Sequence, residues 1–486
     1  MEVLFGAADD GHRLRVRKVI VSILTGLVVL AAAGLGLVYL QASSALDQLH
    51  AGPKRAVVDA VRGELHRAPK RTLVSLPPEP SAQTILLIGS DRRWTGTDGA
   101  RSDTIMLARI EPKRHRIALL SIPRDLYVEI PGHGHDRINM AFRYGGEQLL
   151  TRVVRDTLGV EIDHFVEIDF RGFKHVVDDL GGIWFPVDQR YYNRNIGTVE
   201  TNYADIDLQA GYQRLDGDQA LAFARYRHDD NDLVRAARQQ LLLRIVARDA
   251  LGDKWNPFRV RSLAFAIAKA TTSDITGLGE VLSLARAVHD TPPERVVRQS
   301  VQASDFVLYG ADYLAATSTQ LRATVRRWLG IQSGTRAATK TASAATPRAR
   351  TAVPLVGDGG RGRTLLASAG NGIRRCAPTA LPPGFSWRND SVRAYTLARH
   401  PAIAVYATEG SGDSILWMYT TWHDPPILAG PSTTIRRGAR PYDLYTAQGR
   451  IHQIAWRVGA TRVWVTNTLR DTLTNSEMLA LATSCR

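Results

Sequence analysis

The sequence predicts an α/β domain with helices packed on a sheet, followed by a smaller β-rich unit closed by a helix. Three observations lead there. Between Ser81 and Leu329, aliphatic runs of strand length alternate with stretches of helical spacing. Beyond Leu365, short strand-like runs dominate. A chain of 486 residues also exceeds what one hydrophobic core usually organises. Hydrophobic residues at 44% and charged residues at 22% are globular values, which exclude wholesale disorder and a many-helix transporter.

Taken in chain order, residues 1–18 read as a cytoplasmic tail, with Arg13, Arg15, Arg17 and Lys18 at its end. Val19 to Leu40 is uncharged and mostly aliphatic, long enough as a helix to cross a bilayer core. The basic flank before it predicts a cytoplasmic N-terminus, a single pass through the cell membrane and an extracytoplasmic remainder. A cleaved signal peptide ending near Ala42 to Ala45 is the alternative. Residues 41–80 read as a stalk, partly helical over Ala51 to Arg71 and broken by Pro77, Pro78 and Pro80.

The first domain, 81–330, should hold strands at Thr84–Ile88, Thr104–Ile110, Arg116–Ile122, Phe165–Ile168 and Ile183–Val187, with Glu111 to His115 turning a hairpin. Helical spacing covers Met140–Leu158, Phe173–Leu180, Asp218–Tyr226, Leu233–Leu251, Val260–Ala270 and Tyr313–Leu329. Residues 331–364 read as a flexible basic linker, carrying Arg336, Lys340, Arg348, Arg350, Arg361 and Arg363 against Asp358. Its stretch Gly357 to Gly362 lacks the spacing and lysine of a phosphate loop. The last unit, 365–486, should hold strands at Ala402–Thr408, Ile415–Trp422, Tyr442–Thr446, Arg450–Trp456 and Thr461–Thr466 and a helix at Asn475–Ser484. Cys376 and Cys485 would staple it head to tail. Trp417, Tyr419 and Trp422 alternate along a strand, as half-core residues do and as sugar-stacking residues also would.

The net charge of +15 predicts an anionic partner. Nucleic acid is disfavoured, because the chain has no helix-turn-helix or zinc-finger pattern and the predicted topology is exported. Charged residues instead concentrate where strands end, which is where α/β folds place sites. Asp91 follows the first strand and Asp103 begins the next, so an antiparallel pairing would bring together two oxygen donors suited to Mg²⁺. Arg101 precedes Asp103, and Pro123 sets Arg124 at a strand tip. Arg225 and Arg227 sit at a helix end, while Asp232, Arg235 and Gln239 share one face of the next helix. Converging arginines form a fork-shaped receptor for phosphate oxygens; a solvated salt-bridge face is the plainer reading of the helix residues.

These segments together resemble the LytR-CpsA-Psr family of bacterial envelope proteins. The resemblance rests on Gly-Ser-Asp-Arg at 89 to 92, Arg-Ser-Asp-Thr at 101 to 104, Ser-Ile-Pro-Arg-Asp at 121 to 125, and Arg-Ile-Asn-Met-Ala-Phe at 137 to 142. Asp-Leu-Gly-Gly-Ile at 179 to 183, Leu-Asp-Gly-Asp-Gln-Ala-Leu-Ala-Phe-Ala-Arg-Tyr-Arg at 215 to 227 and Arg-Gln-Gln at 238 to 240 complete it. It implies an α/β/α domain on a central mixed sheet. It also implies transfer of a glycopolymer from a polyprenyl diphosphate carrier to a peptidoglycan muramic acid hydroxyl, with Mg²⁺ as cofactor. By motif, Asp91 and Asp103 are the implied Mg²⁺ contacts. Arg101, Arg124, Arg225, Arg227, Arg235 and Gln239 are the implied diphosphate clamp, Arg137 and Asn139 supporting residues, and Asp232 the group acting on the acceptor, with Asp229 and Asp230 as competitors. A lipid tunnel would use Phe165, Ile168, Phe170 and Phe173, each of which is also an ordinary core residue. Hydrolysis of the lipid-linked glycan and a regulatory role without turnover are the alternative functions. His133 and His135 are assigned no role.

Overall fold

The computed structural model describes residues 53–75, 79–91, 102–198, 204–226, 232–251, 267–292, 295–331, 355–357, 359–369, 372–410 and 412–485. Its elements in chain order begin with α1 (Pro53–Arg62), β1 (Gln83–Ser90), β2 (Ser102–Glu111), β3 (Arg116–Ile122), β4 (Tyr127–Ile130), β5 (Gly134–Arg137), α2 (Ile138–Leu158), β6 (His164–Asp169) and α3 (Phe170–Asp179). Next come β7 (Ile183–Val187), β8 (Tyr191–Asn193), β9 (Ile206–Leu208), β10 (Gly211–Leu215), α4 (Gly217–Arg225), α5 (Asp232–Leu251), β11 (Thr271–Ser273), α6 (Leu278–His289) and β12 (Val296–Ser300). The first half ends with the hairpin β13 (Ser304–Leu308) and β14 (Ala311–Ala315) and the helix α7 (Ser318–Trp328).

Six strands form a mixed sheet in the order β11-β6-β1-β2-β3-β12. β1 to β3 run antiparallel in succession, whereas β6 lies parallel to β1 and β12 parallel to β3. The alternation of a strand sorts its side chains onto two faces, and both are apolar here. Leu86, Ile88, Ile105, Leu107, Ala118 and Leu120 face α1, α2 and α7. Met106, Ala108, Ile117 and Leu119 face Leu243 of α5 and Val288 of α6. The result is an α/β/α sandwich. Trp328, fully buried, locks α7 down by donating its indole N–H to the Ala118 carbonyl at 2.9 Å.

Residues 19–40, where the sequence predicts a spanning helix, lie outside the described residues. Among the described residues no helix is long and apolar enough to cross a membrane. The two longest carry charges along their length, Arg143, Glu147, Arg152 and Arg155 in α2 and Arg235, Arg238, Arg244 and Arg248 in α5, as helices packed on a sheet do. Within the described residues the expected fold is corrected to this extent: none of their helices supplies the single pass on which the expected membrane location depended. The segment expected as a stalk also differs. Val58, Val61 and Leu65 are buried in the domain core, and Glu64 accepts from Arg155 Nη1 at 2.8 Å, so α1 is part of the domain. The single helix expected over Tyr313–Leu329 is instead β14 followed by α7, because Thr317 and Gln320 form a capping box that starts a new helix.

The second half contains α8 (Gly359–Ser368), β15 (Ser386–Leu397), β16 (His400–Thr408), β17 (Ser414–Thr420), β18 (Thr433–Arg437), β19 (Arg440–Ala447), β20 (Arg450–Val458), β21 (Thr461–Thr466) and α9 (Asn475–Ser484). Its seven strands form an antiparallel sheet ordered β15-β16-β17-β21-β20-β19-β18. α8 and α9 cover one face, and the Cys376–Cys485 disulfide lies in that core. The other face packs on Ala210, Tyr212 and Trp184 of the first half. There Gly211 admits no side chain, since a Cβ would lie 2.7 Å from the Tyr395 hydroxyl, which itself donates to the Tyr212 carbonyl at 2.9 Å. α8 begins within the stretch expected to be a flexible linker and runs past its expected end at residue 364. Gly362 is selected there because a Cβ would meet the Trp387 ring at 3.1 Å.

Candidate functional site

Register gathers the charged strand ends on one edge of the first sheet. Ser90 lies opposite Ser102 after an irregularity at Gly89/Ser90, so Asp91, just past β1, and Asp103, second in β2, share that edge. Ile105 lies opposite Ile122, which brings Pro123, Arg124 and Asp125 out at the same place. Asp169, beside Ser90 in the parallel β6, caps α3 by accepting from the Gly172 N–H at 2.7 Å.

The side chains on that edge form a continuous relay. Arg124 Nη1 donates to Asp103 Oδ1 at 2.9 Å, and Arg124 Nε lies 3.4 Å from Asp125 Oδ2. Arg137 Nε is 3.4 Å from the other oxygen of Asp125, and Arg137 Nη2 donates to the Asp312 carbonyl at 2.9 Å. Asn139 is buried and its backbone N–H donates to the Arg124 carbonyl at 3.2 Å, which fixes the strand tip. Asn139 Oδ1 and Ser102 Oγ are buried without a hydrogen-bond partner, two polar groups held at the site that folding leaves unused.

Arg225 reaches the same edge from α4. Its guanidinium lies over the ring of Phe170, 4.3 Å from the centroid, and Phe170 follows Asp169 directly. α5 holds the end of α4 through backbone carbonyls. Arg238, fully buried, donates from Nη1 to the Phe223 and Tyr226 carbonyls, both at 3.2 Å, and Gln239 Nε2 donates to the Ala224 carbonyl at 3.3 Å. Gln239, which the resemblance implies in the diphosphate clamp, grips with its amide the helix that carries Arg225. Arg235 is half-buried on α5. Arg101, Arg227, Asp229 and Asp230 lie outside the described residues, as does the side chain of Asp232, which begins α5.

Several groups here escape sequence reasoning. Ser90 Oγ donates to the buried Glu167 Oε1 at 2.6 Å, directly behind Asp91. Lys54 Nζ donates to the Thr271 carbonyl at 2.7 Å; burial lowers its pKa, against the opposing pull of Glu167 and Asp169. A lysine in the first turn of α1 gives in sequence no sign of a partner more than two hundred residues away. The expected apolar stripe is divided: Phe165 belongs to the main core, Phe173 packs on the satellite core of β7 to β10, and Phe170 lies under Arg225. Trp417 and Tyr419 are fully buried, and half-buried Trp422 packs on Trp184, so the second sheet does not offer these three rings as a stacking surface.

Guanidinium groups beside strand-edge carboxylates thus lie at one end of the mixed sheet of an α/β/α scaffold, the place where such folds put their sites. The chain belongs to the LytR_cpsA_psr family, which matches residues 55–328 and so takes in α1 through α7. The chain is similar to TagT of Bacillus subtilis, a polyisoprenyl-teichoic acid–peptidoglycan teichoic acid transferase, at 35% identity over 227 residues, covering 46% of this chain and 67% of TagT. TagU of Bacillus anthracis, which carries the same functional name, is 32% identical over 249 residues, 51% of this chain and 68% of TagU. Among solved structures, B. subtilis TagV matches at 27% identity with a TM-score of 0.45, covering 52% of this chain and 98% of TagV.

Proposed function

We propose that this chain is a phosphotransferase that moves a glycopolymer from a polyprenyl diphosphate carrier onto a muramic acid hydroxyl of peptidoglycan. The observation that carries the reading is the Arg124–Asp103 pair on the sheet edge shared with Asp91. The transfers named for TagT and TagU support it.

The acceptor hydroxyl oxygen bonds to the phosphorus that carries the glycopolymer, the bridging P–O bond of the diphosphate breaks, and polyprenyl monophosphate leaves. The hydroxyl proton passes to a carboxylate, a role we give to Asp232. Arg124 and Arg225, with Arg101, Arg227 and Arg235, hold the diphosphate oxygens and offset the charge that develops on them. Arg137 holds Asp125, and through it the orientation of Arg124. The donor set also fits Mg²⁺, which takes one or two carboxylates and completes its shell with phosphate oxygens and water. Asp91 and Asp103 supply two carboxylates, and among the described residues no group of three or more His, Cys, Asp or Glu converges into an all-protein cage. When bound, Mg²⁺ would offset diphosphate charge.

The test incubates the protein with Mg²⁺, a short polyprenyl diphosphate-linked glycan and uncross-linked peptidoglycan chains. Phosphodiester-linked product is expected, falling about 10²- to 10³-fold in Arg124→Ala. Release of free glycan phosphate alone would replace the transferase with a hydrolase.

A further inference from the structure

At the tip of the β13–β14 hairpin stands Tyr309, fully exposed, with φ +51°, followed by Gly310 with φ +78°. Positive φ at both central residues is the type I′ pattern, which favours Asn-Gly. A tyrosine there forfeits backbone energy and buries nothing in return, and such an outlier points to function.

The hairpin is tied to the candidate site. The Leu314 N–H donates to the Asp125 carbonyl at 3.0 Å, and the Arg137 guanidinium lies 4.9 Å from the Tyr313 ring centroid. Tyr313 and Phe306 pack against Tyr127 of the facing β4–β5 hairpin, with centroids 5.2 and 5.4 Å away. Beside them Tyr144, 40% exposed, stacks on His133 at 4.2 Å and donates to Asp136 Oδ2 at 3.0 Å.

We propose that these two hairpins form a platform for the uncharged sugar rings of the acceptor, a peptidoglycan glycan strand. Exposed aromatic faces receive sugar C–H groups, and the surrounding carboxylates accept from sugar hydroxyls. Charge favours this occupant over an anionic glycopolymer. The hairpin segments 127–137 and 304–315 hold Glu129, Asp136, Asp305 and Asp312 against Arg137 alone, in a chain of net charge +15.

The assignment to the acceptor rests on the transferase reading, so binding is measured without donor. The protein is titrated with uncharged β-1,4-linked N-acetylglucosamine oligomers, which carry the acceptor strand's ring type without its carboxylates, and separately with a phosphate-rich glycopolymer. Neutral oligomers are expected to bind, and Tyr309→Ala and Tyr144→Ala each to weaken them about fivefold. In turnover assays the KM for acceptor rises with that factor while the KM for lipid donor stays. Unchanged oligomer affinity in both variants, or loss confined to the anionic polymer, overturns the platform. Oligomer binding that both variants weaken, in a protein whose wild type never transfers, leaves the platform standing and removes the transferase.

Discussion

On the edge of the first sheet Arg124 and Asp103 keep 15% and 26% of their side chains in solvent, although they pair at 2.9 Å. In the second sheet Trp417, Trp456, Trp464 and Tyr419 keep 1% or less, and one face rests on helices while the other rests on the first half. One sheet therefore ends in groups that still have chemistry to offer, whereas the other is finished on both faces. The difference assigns reactivity to the first half and bracing to the second. It also makes the shared core around Tyr212 and Tyr395 the route by which the brace acts.

That division has a direct challenge in Cys376 and Cys485, whose bond spans 109 residues. Replacing both by serine should lower stability by about 5 kcal/mol, the chain-entropy scale for a loop of this length. Because Ala210, Tyr212, Leu397 and Ala402 lie in one cluster, calorimetry should show a single transition moved to lower temperature. Two separated transitions would break the view of the second half as a brace continuous with the first.

A smaller effect sharpens the comparison within the first half. Arg238 holds the Phe223 and Tyr226 carbonyls that flank Arg225. It is a positioning residue. Arg238→Lys keeps the charge but loses the fork, and should reduce kcat about tenfold with a smaller change in KM for the lipid donor. A shift in melting temperature with kcat intact would reduce Arg238 to packing.

What could be read from the sequence follows the same division. β3, β7, β21 and α9 lie where aliphatic runs and capping residues place them, because period and punctuation are local properties. The site segments were legible because Asp91, Asp103 and Arg124 stand at strand ends. α8 was not, since a glycine-rich stretch has poor helix propensity, and its composition answers to tertiary neighbours, the Thr379 backbone at Gly359 and the Trp387 ring at Gly362. Trp417 and Tyr419 alternate as in a half-exposed strand, and nothing local announces that the first half will cover the second face. Buried polar pairs such as Ser90–Glu167 look in sequence like solvated residues, because partner choice is a tertiary fact.

The smallest expected effect lies in two histidines that should tilt stability in opposite directions. His164, in the first sheet, is penalised by burial, but the Asp274 hydrogen bond at 2.7 Å, with Glu280 and Asp163 nearby, raises its pKa above the usual 6.5. The folded state then binds the proton more tightly than the unfolded one. That contribution is fully present below about pH 6.5 and is lost as pH rises through the raised value. His452, in β20, is half-buried, and desolvation of its ring together with Arg244 and Arg298 holds its pKa well below 6.5. Here the unfolded state binds the proton more readily, so stability is lost as pH falls below about 6.5. His164→Gln should therefore flatten the alkaline side of the stability–pH profile, and His452→Gln the acidic side, when denaturant midpoints are compared between pH 5 and 8. If both variants tilt the profile the same way, the contrast between a charge-paired first sheet and a desolvated second one is wrong at these positions.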